Sequence, residues 1–420
     1  MPTRKLDEAI INPDTYAMPG AYDDIFTMLR REKPVYWTEP EGYRPFWTVS
    51  KYNDIVEIER QNDKFINWPR MNLNSTAEEE RVRNGTGKGS INPLRMIINM
   101  DSPEHRVHRD ITQSWFLPPN LRKLEAGLAV LAKEFVDRME AFGGACDFVK
   151  DVAVWYPLRV IMTILGVPRE DDHKMLALTQ AIFGSNDPER VGEQAGVEVR
   201  QAAILEFFRY FTALSAERRK NPTDDLATVI ANAQIDSKPI GDFEAKSYYF
   251  IIATAGHDTT SSTLAGGLLA LMQNPSELAK LRSNLDLLPG AVEEMLRWVT
   301  PVKHFFRTAT ENYVLRGKQI KPGDSLMMCY PSANRDEDMF EDPFSFRIDR
   351  TPNKHLAFGH GAHLCLGLHL ARMEMKALYR ELLLRLDSLD LAGEPAWVQA
   401  NVVSGLKRLP IRYAMRKKVA

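Results

Sequence analysis

Cys365 is the residue in this chain best placed for chemistry. It lies in the run Phe358-Gly359-His360-Gly361-Ala362-His363-Leu364-Cys365-Leu366-Gly367. An apolar periodic stretch follows at once (Leu368, Leu370, Ala371, Met373, Met375, Ala377, Leu378, Leu382, Leu383) and predicts a buried helix. The thiol therefore sits in the loop feeding a helix N-terminus, where partial positive charge and unpaired N–H groups favour a thiolate. Gly359, Gly361 and Gly367 lack the Cβ atoms that would keep the backbone from curling closely around the sulfur. Such a loop can present one soft anionic ligand to a large flat partner. Haem iron fits, because axial thiolate ligation pushes electron density onto the metal and favours O–O cleavage. Three other readings stand beside it. A lone cysteine is often a small buried hydrophobe. A zinc site of His360, His363, Cys365 and His369 has the spacing H-x2-H-x-C-x3-H, unlike the usual zinc pairs, and lacks a second thiol nearby. A nucleophilic cysteine needs a base and an orienting group, which sequence does not locate.

Three further groups could do chemistry. Ala255-Gly256-His257-Asp258-Thr259-Thr260 interrupts an apolar helical stretch with an acid beside an alcohol. Buried polar groups are costly unless paired, and Gly256 weakens the helix by about 1 kcal/mol relative to Ala, so a local break is expected here. The alternative is a Ser/Thr-rich helix packing on its neighbours. Glu294 and Arg297 stand at i and i+3 on one predicted helix, where they can pair, although such a pair is most often solvated. His105 and Arg109, at i and i+4, share a helix face, and Arg307 and His363 are further candidate cations.

The elements that must position these residues are mostly helical. Asp242 to Asn274 is the longest helical signal, with Asp242 as N-cap and Pro275 as stop; His257 and Asp258 near its centre exclude a transmembrane reading. Residues 35–38 and 46–49 predict a strand pair, Lys51–Arg60 a helix, and residues 74–93 a long exposed loop. Helical patterns dominate from Pro103 to the 230s, including 170–183 and 197–218 around the polar segment 184–196. Short helices are expected near 276–285 and 291–298, strands from Phe306 to about Pro331, and a final hairpin from 391–406 and 409–414. The chain has 420 residues, 44% hydrophobic and 26% charged, with net charge −2. That balance is ordinary for a globular protein and carries no global basic footprint for nucleic acid. The cysteines Cys146, Cys329 and Cys365 are too dispersed for a disulfide framework and fit a reducing compartment. Neither a signal peptide nor a membrane anchor is expected at the charged N-terminus, and a cytoplasmic location follows.

The Cys365 decamer resembles the haem-binding loop of the cytochrome P450 superfamily, with its Phe, Gly, basic residue, Cys and Gly in register. The resemblance extends over nearly the whole chain. It includes A-G-x-D-T-T at 255–260, W-x-x-P-V-K from Trp298, and Pro331-Ser332-Ala333-Asn334-Arg335-Asp336. It implies a mainly α fold with small β-sheets, formed as one domain over 1–420, with a smaller β-rich lobe near 30–60 and 306–330. Heme b would lie between the long central helix and the helix after the cysteine loop. Cys365 would ligate the iron, with Phe358, Gly361, Gly367 and Ala255 around the haem, and His105, Arg109, Arg307 and His363 holding its carboxylates. Thr259 would hydrogen-bond the oxygen being activated, and Asp258 would relay protons. Glu294, Arg297 and Arg350 would form a structural network bracing the loop. The resemblance also implies a lid over 74–93 and a gate at 184–196, for which two core helices with a solvated connector is an equal alternative. Electrons would come from a separate reductase and a [2Fe–2S] ferredoxin docking near Arg106, Arg109 and Arg372. Within the superfamily the resemblance is to soluble, monomeric bacterial enzymes that hydroxylate the monoterpene alcohol terpineol. It implies a monoterpenoid or alkylaromatic substrate, O2 as co-substrate, and a pocket of Ala255, Thr259, Phe183, Val302, Phe305, Val403 and Ser404. A peroxide-driven haem-thiolate enzyme, which would need no acid–alcohol pair, and a non-catalytic haem sensor or carrier are the rival functions.

Overall fold

Strand β1 (Val35–Thr38) and β2 (Phe46–Val49) pair antiparallel with Trp37 opposite Trp47, bounded as the alternation of residue types predicts. Helix α1 (Tyr52–Glu59) and the short β3 (Phe65–Ile66) follow, then α2 (Thr76–Asn84) and α3 (Glu104–Gln113). The helical bulk contains α4 (Trp155–Ile164), α5 (Asp172–Phe183), α6 (Asp242–Ala255), α7 (Asp258–Gln273) and α8 (Leu288–Val299). Next come β4 (His304–Ala309), β5 (Ser325–Cys329) and finally α9 (Leu368–Arg385). This computed structural model describes residues 3–18, 20–84, 94–183 and 197–416. The expected gate segment 184–196, and the part of the expected lid over 85–93, lie outside the described residues.

The five-stranded sheet runs β1-β2-β5-β4-β3. Met327 stands opposite Thr48 in the parallel β5–β2 pair and opposite Phe306 in the antiparallel β5–β4 pair. Phe46 and Phe306 are fully buried and meet edge to face, with ring centroids 5.2 Å apart. Burying each such ring contributes about 2 kcal/mol. The larger apolar cluster joins α4, α6, α7, α8 and α9, and it carries the cavity described below.

Three expectations change. The expected break at Gly256-His257 does part the long central helix into α6 and α7, but α6 begins just after Gly241 rather than being capped by Asp242. The first part of the expected loop 74–93 is helix α2. Ser75 Oγ accepts from the Glu78 N–H at 3.3 Å, while Glu78 accepts from the Ser75 N–H at 2.9 Å, a capping box that the surrounding charge obscures in sequence. Glu79 then anchors α2 through Arg44 and through Arg70, whose Nε lies 2.8 Å away. Lastly, Pro410–Met415 pairs with Leu386–Leu391 directly after α9 and also with Ala145–Asp147, so the terminal strands are nested rather than one hairpin. Ala396–Trp397 pairs with Leu406–Arg408 inside that loop.

Candidate active site

The loop before α9 closes on itself through the Cys365 N–H, which donates to Phe358 O at 2.9 Å. Gly361 has φ +69°, and a Cβ there would lie 2.0 Å from the Glu59 carbonyl oxygen. It permits close approach of the loop to the end of α1 rather than facing the cavity, a correction to its expected place around the cofactor. Gly367 caps α9 at φ −86° and lines the cavity, and a Cβ there would meet no protein atom. The expectation of a thiolate favoured by the loop alone also changes. Burial raises the Cys365 pKa, and the Gly367 N–H, Arg109 and Arg372 pull it down without prevailing. A coordinated metal ion deprotonates a thiol outright, so ligation itself can supply the thiolate.

Across the cavity lies the break between α6 and α7. Its cause is local: Thr254, Thr259, Thr260 and Thr263 each donate a hydroxyl to the carbonyl four residues back, at 2.7, 3.0, 3.2 and 2.8 Å. Back-bonding of this kind bends helices. A Cβ at Gly256 would lie 2.4 Å from Ile161 Cδ1 on α4, so any side chain there would force Ile161 to shift. Thr259 and Ala255 line the cavity. Asp258 lies outside it and pairs with His257, Oδ1 to Nε2 3.2 Å.

His105 and Arg109 on α3, Arg307 on β4 and His363 in the cysteine loop converge from three elements on the cavity. The His105 and His363 rings are 4.0 Å apart. Burial, then Arg109, lowers the His105 pKa to about 4; burial, then Arg307, His105 and Arg109, lowers that of His363 to about 2. The acid paired with this cluster is Glu59, which accepts from Arg307 Nη2 at 3.1 Å and from the Tyr330 hydroxyl at 2.7 Å, and is held up by burial. Arg109 and Arg307 supply positive charge, the two neutral imidazoles add N–H donors, and guanidinium suits carboxylates, which makes this a site for anionic groups. Together with the apolar slot between α7 and α9 and the space beside Gly367, this donor set fits haem with its two carboxylates.

Two adjacent glutamates on α8 brace the loop from behind. Glu294, fully buried, accepts from Arg297 Nε and Nη2 (2.8 and 2.7 Å), from Arg350 Nε (3.2 Å), from the Arg347 N–H (2.9 Å) and from Asn353 (3.1 Å). Burial raises its pKa, yet Arg297, Arg347 and Arg350 outweigh burial and leave it lowered. Arg297 in turn donates to the carbonyls of Asn334 and Pro343 (2.8 and 2.9 Å), which ties α8 to the chain preceding the loop. Glu293 takes Arg372 in a two-pronged pair (2.6 and 2.7 Å) and His355 (3.1 Å), and the Arg372 guanidinium lies over the Phe358 ring at 4.6 Å. Arg372, expected on the docking surface, is thus committed to holding the loop.

Of the expected pocket residues, Val302 and Phe305 line the cavity. Val403 and Ser404 are not among its lining residues: Val403 stands beside Val302 in an antiparallel bridge, and the Ser404 N–H donates to Pro301 O at 3.0 Å. The Phe183 side chain lies outside the described residues. Sequence reasoning missed Asn67, which donates to His363 Nε2 at 2.8 Å and to Ile98 O at 2.9 Å, along with Glu59, Tyr330 and Glu293. It also missed Glu374, buried on α9 with one oxygen unpartnered and its pKa raised by burial. These partners lie up to 296 residues apart in sequence, beyond any local signal.

Compared with known protein families, residues 25–397 match the cytochrome P450 family. The chain belongs to that family. It is similar to cytochrome P450-terp of a Pseudomonas species, 41% identical over 96% of each chain. Among solved structures it is similar to CYP108D1 from Novosphingobium aromaticivorans, with TM-score 0.91, 44% identity, and 98% and 99% of the two chains covered. It is also similar to Mycobacterium marinum cytochrome P450 CYP268A2 in complex with pseudoionone, with TM-score 0.88, 31% identity, and 96% and 97% covered. As a cytochrome P450 monooxygenase, the protein works with haem whose iron is ligated by a cysteine thiolate. No helix among the described residues is long and apolar enough to cross a membrane.

Proposed function

We propose that this cytochrome P450 hydroxylates an unactivated C–H bond of a small apolar molecule, a monoterpenoid or an alkylaromatic such as a cymene-like ring. Haem supplies the oxygen activation; the chain's own residues set the rest. Cys365 is the iron ligand, and His105, Arg109, Arg307 and His363 receive the haem carboxylates. Thr259, beside Ala255, holds a hydroxyl over the cavity, and Asp258, about one-third exposed, takes protons from solvent for it. The observation that carries the substrate class is the lining of the cavity that Thr259 shares: Ile97, Ile98, Ile251, Leu296, Val302 and Phe305 give it an aliphatic and aromatic surface. Such a lining orients an uncharged hydrocarbon and excludes water.

Two electrons would come from a [2Fe–2S] ferredoxin and its separate reductase. Exposed Arg106 and Val107, with Arg109 donating to the carbonyl of exposed Leu364 at 2.7 Å, offer an acidic carrier an apolar and positive face next to Cys365. Residues 1–420 would act as one catalytic unit, a cytoplasmic monomer. The test is optical titration of the ferric protein with terpineol, p-cymene, pseudoionone and a long-chain fatty acid, followed by product analysis with a ferredoxin couple. A spin-state shift and a hydroxylated product with terpineol or p-cymene support the reading; a shift with the fatty acid alone would replace it. Equal turnover from peroxide without ferredoxin would favour the peroxide-driven alternative, and oxygen uptake without product a sensor.

A further inference from the structure

His257 fills the break between α6 and α7 and is fully buried. Its Nδ1 lies 3.0 Å from Ala253 O, and its Nε2 lies 3.2 Å from Asp258 Oδ1 and 3.5 Å from Thr179 Oγ1 on α5. A carbonyl oxygen only accepts, so Nδ1 carries a hydrogen. At the other nitrogen the carboxylate only accepts. The Thr179 hydroxyl directs its own hydrogen to the carbonyls of Met175 and Leu176, at 3.0 and 3.1 Å, which leaves its oxygen as an acceptor too. Both ring nitrogens therefore face acceptors, and the network calls for an imidazolium. Burial acts against that charge, but Asp258 and the Ala253 carbonyl outweigh it and raise the His257 pKa above its ordinary value.

We propose that His257 is a positioning residue for proton delivery: its buried imidazolium grips the Asp258 carboxylate at the mouth of the break and keeps it ionised, beside Thr259. With both N–H groups committed, His257 keeps its charge and relays no proton. Asp258 takes a proton from solvent and passes it to Thr259 Oγ1 as the threonine's own hydrogen, which at rest is donated to Ala255 O at 3.0 Å, turns into the cavity and leaves; Asp258 is then again a carboxylate. The imidazolium favours that ionised resting form, and the Thr179 contact fixes it relative to α5. This inference rests on the proposed proton path through Asp258 and Thr259.

Two measurements test it. Imidazole 15N correlation spectra of the reduced carbonyl protein, assigned with His257→Gln, should show both His257 nitrogens protonated at pH 7; a neutral tautomer there would overturn the inference. In turnover with the panel member giving the largest spin shift, His257→Phe should raise peroxide released per O2 well above the parent's, because a positioned proton donor contributes about 10²–10⁴-fold to the step it serves. His257→Gln, which keeps one donor, should raise it less. Adding Asp258→Asn to His257→Phe should raise it no further, whereas additive increases would mean independent roles and defeat the proposal. Thr259→Ala separates the two readings. If it raises peroxide and the His257 variants do not, only the positioning role falls; if it does not, the proton path falls and the inference with it.

Discussion

Replacing Glu294 by glutamine keeps its shape and removes its charge. One acceptor oxygen becomes an NH2 group pointed at donors, in a site where Glu294 and Arg297 are fully buried and Arg350 nearly so. Two guanidiniums then share half the acceptor capacity out of reach of water. Breaking one side of a buried ion pair costs about 3–5 kcal/mol, against a total domain stability of about 5–15 kcal/mol. The ratio of folded to unfolded protein should therefore fall by about two to four powers of ten. A matched control is Glu134→Gln, which removes an exposed pair with Arg169 at 2.8 Å and should cost no more than about 1 kcal/mol. Since the folded-state pKa of Glu294 is lowered, its contribution is complete above the ordinary value and is lost as pH falls through the folded one. Urea midpoints and haem per chain, measured for both variants at pH 7, provide the assay. A Glu294→Gln protein matching Glu134→Gln in both would refute the brace.

Gly361→Ala should lower haem content and stability together, because its Cβ would collide with the end of α1. Gly367→Ala should leave the haem-free protein's urea midpoint unchanged yet weaken haem retention, as titration and haem transfer to apomyoglobin would show. Arg307→Leu and His363→Phe should each speed haem loss by roughly tenfold, the loss expected for one charge-assisted hydrogen bond; unchanged transfer rates would remove the carboxylate-binding role. Burial raises the Glu293 pKa, but Arg372 and His355 override it and lower it to about 2, so its brace should hold above about pH 4.5 and fail as pH approaches 2. Acid-induced haem release should lose part of that steepness in Glu293→Gln.

What the sequence made legible follows from the range of the interactions. Strands 35–38 and 46–49, the cysteine loop, the Gly256 break and the Glu294–Arg297 pair are set by neighbours within a few residues, and periodicity or spacing reveals them. Glu293 looks like its neighbour Glu294, yet it is committed to Arg372, 79 residues away, and only the packed fold tells the two apart. Asn67 and Glu59 give no local sign of a role because their partners, His363 and Arg307, come from distant elements. The thiol's raised pKa escaped prediction for a related reason: the helix-start effect is local, while burial is a property of the whole core. The terminal strands were misjudged because Leu386–Leu391 continues directly from α9 and borrows a partner from either side of an inner strand pair.

The visible spectrum of the dithionite-reduced, carbonyl-bound protein, recorded for the parent chain and for Cys365→Ser, tests the central claim most directly. The parent should show the long-wavelength Soret band of thiolate-ligated haem, and the serine variant should lose it whether or not it retains haem. A variant that kept that band, or a haem-loaded parent that never displayed it, would contradict ligation by Cys365.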